Sequence, residues 1–481
     1  MMRRMTRWAV AAAWILASLI TAVAQAQPVP ASDAIVLPSD ADIRQMLAER
    51  IAAVAGREEG VCIVVGVIGP QGRRVIACGH PSRHDPRPAD GDTVFEIGSV
   101  TKVFTALLLA DMVRTGEVAL ADPIAKCRLP AFKLPERNGR AITLVDLATH
   151  TSGLPFMPDE PIVLGDSAAA KYGTRQLAQF LARYELSRDI GADWDYSNIG
   201  YWLLGEALAS RAGTNFESLL ETRICRPLQL KSTACTVSPS LKARLAVGHD
   251  ASLQPAPLFS STSVYAAMPA AGGLVSTVND LLHILAVAMG YEQSALAPSM
   301  AAMLATRRPL GPNEQALGWV VQGKGDDQLI LHDGFTWGYA SYVAWDPARR
   351  VGVVVLSNQI ANVGDMGLHL LRPKVPLATP TVTKHTEITL APSILDVYTG
   401  RFAAEGEGVF NITRAGDFLT LQLPIGWGLP TFRLRPESRL DFFIAELPLR
   451  VTFQPDSAGH MNELLLYPPR GQHAIPVKRI R

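Results

Sequence analysis

The chain has 481 residues, 48% of them apolar, with 45 basic and 44 acidic residues and a formal net charge of +1. That length and apolar content support a large buried core and two domains. Balanced charge without a basic run excludes a nucleic-acid-binding protein.

Arg3, Arg4 and Arg7 precede an apolar run from Trp8 to Ala24, which ends in Ala24-Gln25-Ala26. This is the pattern of a secretory signal peptide over residues 1–26, cut after Ala26. The competing reading, a membrane anchor, needs a longer run of about 20 apolar residues. No later run is long enough to cross a bilayer, so the mature chain is expected in the periplasm with no membrane span. Gln27 to Pro38 reads as a linker. Ala41 to Ala55 has helical spacing (Ile43, Met46, Leu47, Ile51, Val54). Val61 to Ile68 and Arg73 to Ala77 read as strands joined by a turn at Gly69-Pro70-Gln71-Gly72.

Glu96-Ile-Gly-Ser99-Val-Thr-Lys102 then leads into a strongly apolar helix that ends at Gly116. Residues 117–200 are loop-rich. Thr143 is an N-cap for Leu144 to Thr149, and Thr174 for Arg175 to Tyr184. Asp193-Trp-Asp-Tyr-Ser-Asn198 precedes a helix from Ile199 to Arg211, and another runs from Phe216 to Ile224. Ala271-Gly-Gly-Leu-Val-Ser-Thr277 leads into a helix over Val278 to Met289. Four runs follow that form a β-meander: Gly318–Gln322, Leu329–His332, Tyr339–Trp345 and Val351–Ser357. The strands at the two ends of this region are expected to meet in one antiparallel sheet with helices on its faces. Residues 373–392, rich in Pro and Thr, read as a linker. The short alternating runs of residues 393–481 read as a small all-β barrel domain.

Five cysteines occur, at 62, 78, 127, 225 and 235. Export permits disulfides. Cys62 with Cys78 and Cys225 with Cys235 are the candidate pairs, leaving Cys127; the alternative is five reduced, buried thiols. Neither the cysteines nor the ten histidines show metal-ligand spacing, so no metal and no cofactor is expected.

Ser99 and Lys102 lie one helical turn apart. A serine needs a neighbour that takes its proton, and a lysine desolvated among Val103, Phe104, Leu107 and Leu108 meets that need. Tyr196 offers a second proton carrier. Asn198 offers an amide to hold both Lys102 and a substrate. His332 ends a strand where a donating side chain can hold an anion, and Gly334 lets substrate backbone approach. An ordinary histidine pKa of about 6.5 makes activity on anionic substrates fall as pH rises past it. Asp333, between them, should point to the other side of the strand.

S-x-x-K at a helix start, Y-S-N before a helix and H-x-G on a late strand, in that order, resemble the penicillin-recognising serine hydrolases. His150-Thr-Ser-Gly-Leu-Pro155 and Ala271-Gly-Gly-Leu-Val-Ser276 resemble stretches of that family too. The resemblance implies an α/β (α+β) domain over residues 27–372, an antiparallel sheet flanked by helices plus a helical subdomain. The tail resembles a lipocalin-like β domain. It further implies an acyl-enzyme on Ser99, base work shared by Lys102 and Tyr196, and substrate binding by Asn198, His332 and Gly334. The oxyanion hole would be the N–H groups of Ser99 and Phe335. Implied substrates are D-Ala-containing peptides or β-lactams; the alternatives are small acyl esters, or a penicillin-binding sensor without turnover.

Overall fold

The structure, a computed structural model, describes residues 37–480 apart from 55–59, 128, 130–132, 159–172, 251–252, 259–267, 379–384, 405–407, 425–430, 445–448 and 468–473. The signal-peptide reading of residues 1–26 lies outside them.

The strands before and after the helical region do meet. β1 (Cys62–Gly69) and β2 (Gly72–Gly79) form the expected hairpin. β1 pairs antiparallel along its other side with β12 (Val351–Ser357). Two short ladders fall between them in sequence, β3 (Phe95–Glu96) with β6 (Val275–Ser276) and β4 (Glu136–Arg137) with β5 (Arg140–Ala141). β7 (Arg308–Leu310), β8 (Asn313–Gln315), β9 (Val320–Gln322), β10 (Leu329–Phe335) and β11 (Ala340–Asp346) complete the large sheet. Its order is β2-β1-β12-β11-β10-β9-β8-β7.

The apolar strands β1, β11 and β12 are buried along their whole length because both faces of the sheet are covered. On one face Ile63, Val65, Val353 and Val355 pack with Ile43 and Leu47 of α1 (Asp40–Val54) and Leu370 and Leu371 of α10 (Gly364–Leu371). On the other, Val64, Val354 and Leu356 join the core of α2 (Thr101–Arg114) and α8 (Val278–Ala288). α3 (Leu144–Ala148) packs on α5 (Asn198–Ala212), and α4 (Thr174–Arg183) adds Leu177 and Phe180 to the same core; against α2 itself lie α5, α6 (Phe216–Leu220), α7 (Pro269–Gly272) and α9 (Ala297–Met303). Thr143 caps α3 through a reciprocal exchange with Asp146.

The tail forms a closed barrel of eight strands in chain order, β13 (Gly400–Ala404), β14 (Gly408–Ala415), β15 (Phe418–Gln422), β16 (Thr431–Pro436), β17 (Asp441–Ile444), β18 (Leu449–Pro455), β19 (Met461–Tyr467) and β20 (Ile475–Ile480). Closure leaves no free edge. Phe402, Phe410, Phe432, Phe442 and Phe453 fill its interior.

Several expectations change. The meander gains an edge hairpin, β7–β8, too short and polar to stand out in sequence. Helix α4 starts at Thr174 itself, with Gly173 in the cap position, whose N–H donates to Gln176 Oε1. The run Phe216 to Ile224 is one α-helical stretch followed by a π turn at Glu221–Cys225. All five cysteines are free thiols. Cys78 sits opposite Ile63 in the β1–β2 ladder, not opposite Cys62, so the two thiols leave opposite faces of the sheet. Burial also raises the Cys62, Cys127, Cys225 and Cys235 thiols above their ordinary pKa.

Candidate active site

Ser99 lies in a single 3-10 turn, Gly98–Val100, that runs straight into α2. Lys102 is the second residue of α2 and has no exposed surface. Its Nζ lies 3.1 Å from Ser99 Oγ and donates to Asn198 Oδ1 at 2.8 Å and to the Ala271 carbonyl at 2.6 Å. Burial holds its pKa well below the ordinary lysine value, with the charge of Asp333 opposing that shift. The two oxygen acceptors take two N–H groups. A neutral amine therefore turns its lone pair toward Ser99.

Tyr196 donates its hydroxyl to Ser99 Oγ at 2.7 Å, and Lys102 Nζ lies 4.7 Å above its ring. Ser197 caps α5, its Oγ accepting from the Gly200 N–H at 2.9 Å and donating to the Pro155 carbonyl at 2.7 Å. That cap makes Asn198 the first residue of the helix and aims it inward. Its Nδ2 faces Met157 Sδ at 3.8 Å, which leaves Oδ1 for the lysine.

Gly334 brings strand β10 against the Ser99 turn. A Cβ there would stand 2.1 Å from the Ile97 carbonyl oxygen and 2.8 Å from Ser99 N. From the other side, a Cβ on Gly98 would stand 2.6 Å from Phe335 N, and Gly98 has φ +49°. Two glycines thus permit a backbone approach that any side chain would prevent. The approach gathers the Ser99 and Phe335 nitrogens into one neighbourhood. Ser341 fixes it by donating to the Ile97 carbonyl at 2.8 Å.

His332 shares the Gly334 face of β10, and Asp333 takes the other. Asp333 pairs across the ladder with Tyr342, on the side of α10, as the strand alternation requires. Burial pushes the Asp333 carboxyl up to about 7, and Lys102 pulls the other way. The expectation that His332 titrates near neutrality is overturned. Burial, with help from the Lys102 charge, pushes it down to about 3. Nδ1–H donates to the Asp333 carbonyl at 2.6 Å, so the neutral ring keeps Nε2 as an acceptor.

Ser99, Lys102, Tyr196 and Asn198 are therefore joined by direct hydrogen bonds, the Gly334–Phe335 backbone abuts Ser99, and His332 lies within electrostatic reach of Lys102. Sequence reasoning missed the Ala271 carbonyl, since a backbone acceptor has no residue signature. It also missed the work of Ser197, which the N-cap position before a helix would have revealed. A further omission was Trp194, whose Nε1–H donates to Gln315 Oε1 at 3.1 Å and ties the Tyr196 loop to β8.

A nucleophile, a buried amine and a phenol on this frame of sheet and helices define a serine hydrolase. The chain belongs to the beta-lactamase family, whose model matches residues 41–370. It is 31% identical to the D-alanyl-D-alanine-carboxypeptidase/endopeptidase AmpH of Escherichia coli (strain K12) over 281 residues, 55% of this chain and 71% of that protein. A beta-lactamase of Pseudomonas fluorescens is 26% identical over 354 residues, 66% of this chain and 94% of that protein. Among solved structures, a beta-lactamase/D-alanine carboxypeptidase from Yersinia pestis complexed with citrate superposes with a TM-score of 0.59 at 24% identity, covering 70% of this chain and 99% of the other.

Proposed function

We propose that this protein is an exported hydrolase that forms an acyl-enzyme on Ser99, with D-Ala-containing cell-wall peptides and β-lactams as substrates. One observation carries this reading: Ser99 Oγ lies between the Lys102 amine and the Tyr196 hydroxyl, at 3.1 and 2.7 Å. Lys102, neutral through burial, takes the serine proton as Oγ attacks the acyl carbon. Tyr196 passes a proton to the leaving group, and Asn198 holds the lysine and the substrate amide. The N–H groups of Ser99 and Phe335 receive the oxyanion, and water then cleaves the ester. The Arg-rich, apolar start ending in Ala-Gln-Ala supports export and a periplasmic location. Among the described residues, no helix is long and apolar enough to cross a membrane. The barrel serves as a lipocalin-like packing module beyond a linker at 373–392.

A second reading, an esterase on small acyl esters, is favoured by His332. A neutral ring beside Asp333 leaves the third motif without the fixed cation that holds a substrate carboxylate. Incubation with a labelled penicillin, a D-Ala-D-Ala peptide and a p-nitrophenyl ester separates the readings. The expected result is a covalent mass increase on Ser99 with product release, both abolished in Ser99→Ala. Turnover of the ester alone supports the esterase. A stable penicillin adduct with no product from any probe would leave a sensor, and unchanged turnover in Ser99→Ala would reject the mechanism.

A further inference from the structure

Tyr196 sits on a loop, and a phenol on a loop is only as useful as its placement. The residues flanking it are gripped one after another by the 150–156 segment. The Asp195 N–H donates to the His150 carbonyl at 2.8 Å, and the Ser197 N–H donates to His150 Nδ1 at 3.0 Å. Ser197 Oγ then reaches Pro155, and the Asn198 N–H donates to the Phe156 carbonyl at 3.0 Å. Between its two bonds the His150 ring stacks on the Tyr196 ring, with centroids 4.4 Å apart and planes 25° from parallel. Trp194 meets His150 edge-on at 6.0 Å, and Tyr201 closes another side at 5.0 Å.

His150 is 1% exposed and adopts φ +57°, a left-handed conformation that most side chains avoid. Because Nδ1 accepts the Ser197 N–H, the proton of the neutral ring is on Nε2. Burial, with the Lys102 charge and His332 nearby, lowers its pKa well below the ordinary histidine value and so keeps that acceptor. No catalytic task uses this imidazole, yet it is bonded or stacked to three successive residues, 195, 196 and 197.

The geometry points to His150 as a positioning residue, whose Nδ1 acceptor and ring face together hold the Tyr196 hydroxyl on Ser99. The proposal rests on the acyl-enzyme reading given above. A displacement of about 1 Å at a reacting group costs on the order of 100-fold in rate. Loss of His150 should therefore appear in kcat and spare KM.

Three full-length variants separate the two contacts. His150→Asn keeps an acceptor at the δ1 position and suits a left-handed backbone, but removes the ring. His150→Phe keeps the stack and removes the acceptor. His150→Ala removes both. With a neutral p-nitrophenyl ester, His150→Ala is expected to lose about 100-fold in kcat with KM within about twofold, and each of the other two to recover part of the loss. In a Tyr196→Phe background, His150→Ala should cost little more, because the residue it positions is already gone. Thermal melts show that each variant is folded at the assay temperature. If His150→Ala does not fold, His150→Asn and His150→Phe carry the comparison. Wild-type kcat in the folded variants, or a full additional loss in the Tyr196→Phe background, overturns the proposal. A wild-type chain that never labels on Ser99 overturns the acyl-enzyme reading itself, whereas normal labelling with undiminished variants sinks only the role of His150.

Discussion

Lys102 and His332 show how burial changes the chemistry of a side chain without changing its identity. Lys102 must be uncharged to take a proton, so kcat/KM should rise through its lowered pKa and be lost as pH falls below it. Lys102→Arg places a permanent positive charge there that cannot deprotonate in this range, and is expected to lose activity by about 100-fold or more at every pH. His332 should contribute no limb between pH 5 and 9, since its folded pKa is about 3. A His332→Gln profile of the wild-type shape would confirm this; a missing limb would refute it. Stability carries a related signature. The folded pKa of His332 lies below the unfolded value of about 6.5, so its contribution is complete above that pH and declines as pH falls toward 3. The slope approaches about 1.4 kcal/mol per pH unit, and His332→Gln should flatten the acid side of a melting-temperature profile. The type and order of these residues were legible in sequence because acyl transfer needs a particular set of groups. The lowered proton affinity of Lys102 was legible too, from its apolar helix neighbours; the charge state of His332 was not, since its desolvation depends on neighbours far away in the chain.

The α2 turn and strand β10 form the nucleophile's setting together, and neither does so alone. Gly334→Ala would drive a Cβ into the Ile97 carbonyl. Backbone cannot swing aside like a side chain, so the strand and the Ser99 turn must separate. Acylation should fall by about 100-fold or more, in line with loss of an oxyanion donor, while circular dichroism stays native-like. An active Gly334→Ala would show that this approach does not form the oxyanion site. The Ser99 helix, the Thr143 cap and the late strands were readable because apolar periodicity and capping chemistry are local. The hairpin β7–β8 was not, because Arg308–Leu310 and Asn313–Gln315 gain their strand character from the neighbouring β9. Of the two cysteine readings the reduced one holds, and for Cys62 and Cys78 the reason is register. A shift of one residue along the β1–β2 ladder moves a thiol to the other face.

Across the whole molecule, the sheet closes only when Val351–Ser357 arrives beside Cys62–Gly69, although nearly three hundred residues lie between them. Sequence predicted that meeting from the position of the strands, and the closed barrel from alternation and turns. Hydropathy could not give the order β2-β1-β12, because β1 and β12 are buried along their whole length and carry no alternation that marks a partner. The sheet also joins its two sides electrically through Asp333. Its carboxyl lies on the face away from the nucleophile, yet its charge favours the ammonium form of Lys102. Asp333→Asn should shift the acid limb of kcat/KM to lower pH, and an unmoved limb would show the two groups to be uncoupled. The proton affinity of the amine is thus partly set from behind the sheet. Substitutions there can retune the enzyme's working acidity while every atom that meets substrate stays in place.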